Sequence, residues 1–271
     1  MNRFFQAEKS RLLMCRPDFF RIAYEINPWM NKKNQTDHDK AQKQWEALYA
    51  TLTGPFGLKV DLIPPQPDLP DMVFTANGGL VHGKKVYLSN FRHPERQGER
   101  KYFQEWFSEN GYDVISLSDD ISFEGEGDAL WLEDHLVAGY PFRTDVSSHL
   151  FLARELQCKV ISLELTDPRF YHLDTCFAPL RARTALYAPE AFTSDSLKRL
   201  APFVDELIPL TPEEAAQFSA NAVVSGRKIV LQAGSDSARK KLEHAGFEVY
   251  PHDLSEFIKS GGNAKCLVLW I

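Results

Sequence analysis

One cysteine stands apart from the other three in this chain of 271 residues. Cys266 follows Gly261-Gly262 at the opening of an apolar stretch, whereas Cys15, Cys158 and Cys176 read as small packing residues. A thiol becomes a nucleophile only where its proton can leave and an electrophile is held nearby, so partners are required. Short polar clusters supply candidates: Asn77, the acidic run Glu124-Gly125-Glu126-Gly127-Asp128, His172-Leu173-Asp174 and Asn221. A nucleophile, a base, carboxylates and amides suit covalent attack on a polar carbon. His172 and Asp174 alternate, so on a strand both side chains would reach one face. Metal binding is the rival use of such residues. The chain carries neither His-Glu-x-x-His nor paired cysteines, and no metal or other cofactor is expected.

The elements that must position these residues repeat. Four stretches open on an aromatic residue and a short polar segment: Phe74-Thr-Ala-Asn77, Phe123-Glu-Gly-Glu-Gly-Asp128, Tyr171-His-Leu-Asp174 and Phe218-Ser-Ala-Asn221. Their starts lie 49, 48 and 47 residues apart, and each is followed by apolar runs, a helical pattern and a strand. In the first unit, 85–89 reads as a strand, Tyr102, Phe103, Trp106 and Phe107 as one helix face, and 112–117 as a strand. Helices are expected near 147–156, 194–203 and 235–245, with Gly111 and Gly246 where helices should stop. The stretch 94–101 reads as a solvated loop entering a helix.

A fifth unit is split across the termini. Residues 261–270 supply its opening, with Cys266 beginning a strand, and 11–15 supplies another strand. Ala41, Trp45, Leu48, Tyr49 and Leu52 mark its helix, ahead of a strand at 58–63. Pairing the two ends would close a ring in which every unit buries its apolar face. The expectation is one α/β domain over 1–271, a pseudo-fivefold propeller of ββαβ-type units whose polar openings converge on the axis.

Composition narrows the partners. Thirty-one basic against 37 acidic residues leave a net charge of −6 with both signs spread out, so nucleic acid is not an expected partner. Charge interrupts the N-terminus before any apolar leader forms, and no stretch reaches the ~18 apolar residues of a membrane span. A cytoplasmic protein with reduced thiols and a small-molecule substrate is expected, and assembly of identical copies is left open.

Further segments occur in a telling order: Glu25-Ile26-Asn27-Pro28-Trp29-Met30, Phe91-Arg92-His93-Pro94-Glu95-Arg96, Phe142-Arg143-Thr144-Asp145, Tyr171-His172-Leu173-Asp174-Thr175, and Gly261-Gly262 before Cys266. Together they resemble the guanidine-modifying, or pentein, superfamily of arginine deiminases, dimethylarginine dimethylaminohydrolases and amidinotransferases. Over 18–30 and 123–130 the chain is most similar to the arginine dihydrolase branch. The resemblance implies that Cys266 is the nucleophile, His172 the acid and base, and Glu124 the catalytic carboxylate, with Glu126 and Asp128 as rivals for that role. It also implies that Asp174, Asp128, Asn77 and Asn27 line the substrate pocket and that Arg92 and Arg143 grip a substrate carboxylate. Surface salt bridging by either arginine, and simple turn roles for Asn27 and Asn77, are the plainer alternatives.

Two departures from deiminases stand out. Phe74-Thr75-Ala76-Asn77 replaces their Phe-Thr-Arg-Asp, and their Glu-Gly-Gly-Asp is lengthened by one residue. The activity implied is hydrolysis of arginine to ornithine, ammonia and carbon dioxide through a thiouronium. The alternatives are hydrolysis of dimethylarginine, or of arginine, that stops at citrulline, amidinotransfer, and a non-catalytic binding protein like the pentein-type ribosome anti-association initiation factor.

Overall fold

The computed structural model describes residues 10–271. The charged N-terminal stretch read above, 1–9, lies outside the described residues, as does the start of the expected domain. Chain order gives β1 (Arg11–Cys15) and β2 (Lys59–Ile63). Four triplets follow: β3 (Gly79–His82), β4 (Lys85–Leu88) and β5 (Asp113–Ser116), then β6 (Ala129–Leu132), β7 (His135–Tyr140) and β8 (Val160–Glu164). The third and fourth are β9 (Phe177–Arg181), β10 (Thr184–Tyr187) and β11 (Glu206–Pro209), then β12 (Val223–Ser225), β13 (Lys228–Gln232) and β14 (Glu248–His252). The last strand is β15 (Leu269–Trp270).

Each triplet is its own sheet, in which the first two strands form an antiparallel hairpin and the middle strand runs parallel to the third. A parallel neighbour cannot be reached by a tight turn, so a helix makes the crossover. Those helices are Glu99–Glu109, Val146–Leu156, Ser194–Leu200 and Asp236–His244. The fifth sheet joins the chain ends as the repeats predict. β15 pairs antiparallel to β1 with Trp270 opposite Leu12, and β1 runs parallel to β2 across the helix His38–Thr53. The five sheets are the blades of a pentein propeller.

Local sequence explains the helices. Asp37 caps the first by accepting from Lys40 N at 3.0 Å, and Ala41, Trp45, Leu48 and Leu52 bury one face against Leu12 and Met14. Full burial of a side chain of this size contributes about 1.5–3 kcal/mol. The helix expected to reach residue 203 stops at Leu200 and tightens into a 3-10 turn, Ala201–Phe203, because Pro202 has no N–H to continue the ladder. The four contiguous hairpins each turn through one residue in the left-handed region, Gly83, Glu133, Arg183 and Gly226, with φ of 62°, 57°, 57° and 59°. Among the described residues no helix is long and apolar enough to cross a membrane.

Two local expectations are corrected. His172 and Asp174 do not alternate along a strand; they flank and enter a 3-10 turn, Leu173–Thr175, ahead of β9. Equivalent 3-10 turns, Thr75–Gly78 and Gly125–Gly127, precede β3 and β6. Cys266 likewise sits in a turn, and its strand begins only at Leu269. In each case polar side chains at the axis favour tight turns over an extended ladder, and Gly78, Gly125 and Gly127 add to this in the first two units.

Candidate active site

The three 3-10 turns aim their side chains at the propeller axis. Asn77, Glu124, Asp128, His172, Asp174 and Cys266 are all buried there, none more than 2% exposed. The lengthened acidic run divides into three tasks. Glu124 Oε2 lies 2.8 Å from His172 Nε2 and accepts from Arg143 Nη1 at 3.2 Å, while its Oε1 accepts from the Arg92 backbone N–H at 3.2 Å. Asp128 accepts from Thr144 Oγ1 at 2.6 Å and from the Leu173 N–H at 3.0 Å, so it anchors the His172 turn. Glu126 turns away and accepts from Lys265 Nζ at 2.9 Å and Trp270 N at 3.3 Å, fastening the split unit.

The intervening glycines are demanded by contact. A Cβ on Gly127 would sit 2.3 Å from Asn77 Nδ2, and one on Gly125, whose φ is +58°, would sit 2.6 Å from Gly79 O.

Burial alone would raise the Glu124 pKa, but Arg143 and the His172 hydrogen bond overcome it and hold the carboxyl well below its usual range. Asp128, without such a cation beside it, is pushed up by burial to about 6 even though His172 pulls it down. The acid facing His172 is therefore charged at neutral pH.

On the far side of the site, the Cys266 thiol donates to Asp174 Oδ2 at 3.3 Å. Burial, then the charge of Asp174, pushes this thiol well above its ordinary pKa. Asp174 is itself raised to about 7 by burial, against the pull of Lys265 and of the Cys266 hydrogen bond. Its second oxygen, Oδ1, has no hydrogen-bond partner among the described residues, and neither does Asn77 Nδ2. The Asn77 amide is oriented by Arg96, whose Nη1 donates to Asn77 Oδ1 at 2.8 Å. A buried acceptor and a buried donor thus stand unmatched beside a thiol.

Arg96 corrects the reading of 94–101 as a solvated loop. It is buried with Glu99 in a two-pronged ion pair of 2.8 Å on each arm, lies 4.7 Å over the Phe91 ring, and donates to Asp71 O at 3.2 Å. The Arg-x-x-Glu spacing at a helix start was the available signal, since residues three apart share a helix face. Tyr171 was missed as well. Its hydroxyl donates to Gly261 O at 2.8 Å, and its ring lies 4.6 Å from the Arg143 guanidinium.

The remaining candidates separate in space. Arg143 is buried and also donates to Ile26 O at 3.0 Å, whereas Arg92 is about a third exposed and its side chain pairs with Asp145. Asn27 straps the 16–37 loop to the site: Nδ2 donates to Ser260 O at 3.0 Å, and Oδ1 accepts from Trp29 N and Met30 N at 2.9 and 3.2 Å. Cys15 and Cys176 are buried away from solvent, and Cys158 is partly exposed. Among the described residues no group of three or more His, Cys, Asp or Glu side chains is placed to hold a metal ion.

Residues 21–271 match the family model described as N,N dimethylarginine dimethylhydrolase, eukaryotic. The chain belongs to this family. Among its relatives, the bifunctional arginine dihydrolase/ornithine cyclodeaminase AgrE of Nostoc sp. is 46% identical, covering 96% of this chain and 37% of the relative. The chain thus spans somewhat over a third of that bifunctional protein. The N(G),N(G)-dimethylarginine dimethylaminohydrolase of Mycobacterium tuberculosis is 42% identical, covering 96% of this chain and 85% of the relative. In three dimensions the chain superposes on the N-terminal domain of ArgZ, a cyanobacterial arginine dihydrolase solved bound to product, with a TM-score of 0.92, 44% identity and 96% of each chain covered. A variant of the same domain has been solved covalently bound to a reaction intermediate.

Proposed function

We propose that this chain is a cysteine-dependent hydrolase of the arginine guanidinium group, an arginine dihydrolase releasing ornithine, two ammonia and carbon dioxide. The observation that carries the reading is the pair of unmatched buried atoms: Asp174 Oδ1, an acceptor for a guanidinium N–H, and Asn77 Nδ2, a donor for a carbonyl oxygen. A cation settling against Asp174 and beside Cys266 favours the thiolate over the thiol that burial otherwise imposes. The thiolate attacks the guanidinium carbon, His172 protonates the departing ammonia, and the thiouronium is cleaved by a water that His172 deprotonates. Glu124 has both oxygens engaged by His172, Arg143 and the Arg92 N–H, so in this scheme it orients His172 rather than touching the guanidinium.

The first round leaves citrulline, whose ureido oxygen replaces one amino group. Asn77 Nδ2 donates to that oxygen and polarises the carbonyl for a second attack by Cys266. A second ammonia departs, water releases the thiol, and the resulting carbamate falls to ornithine and carbon dioxide. The balance is arginine plus two waters giving ornithine, two ammonia and carbon dioxide. The five units act together as one catalytic domain, at work in the reducing cytoplasm.

A second reading is hydrolysis of methylated arginines to citrulline, favoured by the 42% identical relative. Chromatography of exhaustively reacted arginine separates the two. Ornithine with two ammonia per arginine is expected, and an end point at citrulline overturns the dihydrolase reading. Asn77→Asp should move the end product towards citrulline while arginine is still consumed, because Arg96 would hold the new carboxylate in place and set an acceptor against the ureido oxygen. If that variant still yields only ornithine, Asn77 does not control the branch.

The α-carboxylate of the substrate supplies another test. Removing the charge-assisted donors in Arg92→Ala and Arg143→Ala should reduce the preference for arginine over agmatine by about 10- to 100-fold in at least one variant. Unchanged selectivity in both variants and in the double variant removes this role from the two arginines.

A further inference from the structure

Asn221 opens the fourth repeat, yet the chemistry above leaves it without a task. Its side chain is buried, 1% exposed, and every hydrogen-bonding position of its amide is filled. The oxygen Oδ1 accepts from the backbone N–H of Asn263 at 3.1 Å and from that of Cys266 at 3.0 Å. Two N–H donors can face only an oxygen, so the amide cannot be reversed. Its nitrogen must then lie on the other side, where it donates to Asp174 O at 2.9 Å and to Cys266 Sγ at 3.1 Å.

Resting on the reading of Cys266 as the nucleophile, we propose that Asn221 is a catalytic residue that donates to the reacting sulfur: its side-chain N–H stabilises negative charge on Sγ and fixes the sulfur's position through the attack. A hydrogen bond to a charged acceptor is shorter and stronger than one to a neutral acceptor. The bond therefore strengthens when Cys266 loses its proton and weakens again when the sulfur enters a C–S bond. The same residue that holds the backbone of the Gly261–Cys266 turn thus also tunes its thiol. Asn263 stiffens the arrangement, its Nδ2 donating to Gln232 Oε1 at 2.9 Å and its Oδ1 accepting from Ala264 N at 2.7 Å. The charged and titratable groups around the sulfur are Asp174, which opposes the thiolate, Lys265, which favours it, and the Tyr171 phenol. The Asn263 backbone also favours the thiolate, and Asn221 is the side chain that donates to the sulfur without titrating itself.

The test is the pH dependence of Cys266 alkylation by iodoacetamide in the full chain without substrate, read by mass spectrometry of the Cys266 peptide so that Cys158 does not contribute. Asn221→Ala should shift the midpoint upward by about one unit or more, leaving roughly tenfold less thiolate at a given pH below it. Asn221→Asp still accepts the two backbone N–H bonds, which preserves the turn, but presents an acceptor to sulfur; its midpoint should rise further than that of Asn221→Ala. A folded Asn221→Ala with the wild-type profile overturns the inference, as does an unshifted Asn221→Asp should the alanine variant fail to fold. Wild-type Cys266 inert to alkylation across the whole range, together with arginine turnover that survives Cys266→Ala, overturns the nucleophile reading itself. Shifted midpoints in an enzyme that stops at citrulline support the inference while sinking only the dihydrolase reading.

Discussion

Cys266→Ala will give a folded protein that consumes arginine at least about 10⁴-fold more slowly than the parent. The other thiols are held elsewhere. Cys176 directs its S–H at the carbonyls of Leu173 and His172, at 3.4 and 3.8 Å, Cys15 directs its own at Arg16 O, and Cys158 packs against the apolar cluster of Leu136, Leu152 and Leu156. What survives would be water attack aided by His172 and Asp174, without the covalent step that divides a hard displacement into two easier ones. Stability should change little, since the variant loses one small side chain and the weak bonds from Asn221 and to Asp174, worth about 1 kcal/mol each. Ammonia release measures the rate. Mass spectrometry of acid-quenched wild-type reactions should place the adduct on the Cys266 peptide. Wild-type rates in the variant, or an adduct on another cysteine, would sink the assignment.

Glu124→Gln is expected to damage both catalysis and folding. The buried carboxylate balances the Arg143 cation and positions His172, and an amide of the same shape does neither. Loss of an oriented acid and base should lower turnover on the order of 10²- to 10⁴-fold. Leaving the Arg143 guanidinium buried without its counter-charge should cost about 3–5 kcal/mol in urea denaturation. The pH dependence has a definite sign. The folded pKa of Glu124 lies below the ordinary carboxylate value, so its stabilisation is full above about pH 4.3 and is lost as pH falls through the folded value. The stability gap between parent and variant should therefore be widest near neutrality and narrow in acid. A gap that is constant with pH, or a variant as stable as the parent at pH 7, would show that the ion pair does not carry this energy.

A non-catalytic pentein would have no use for this arrangement. A desolvated carboxylate–imidazole–guanidinium cluster is costly to maintain, and in a purely binding scaffold apolar packing could replace it.

The linear sequence determined the parts of this protein that local pattern encodes. The interval between Phe74, Phe123, Tyr171 and Phe218 fixes how often the chain makes the same unit, because a ββαβ turn of the ring consumes nearly the same length each time. The split unit was equally legible, since the opening at 261–270 lacks a helix and the helix His38–Thr53 lacks an opening, and the two are matched where β15 pairs with β1. Residue type also marked Cys266, His172 and Asn77 as chemically capable. Tertiary structure decided what each polar atom faces. Glu124, Glu126 and Asp128 are equivalent in the sequence, yet one reaches His172 in the next unit, one Lys265 in the split unit and one Thr144 within its own blade. Arg96 and Glu99 look solvated in a charged segment until Asn77 and Asp71 O are brought against them. Asn221 acquires a direction only when the backbone of a turn 45 residues later occupies its oxygen. Hydrophobic period survives in one dimension because each residue needs only a face to bury, whereas a hydrogen bond needs a particular partner at about 3 Å, and that partner is chosen by the closed ring.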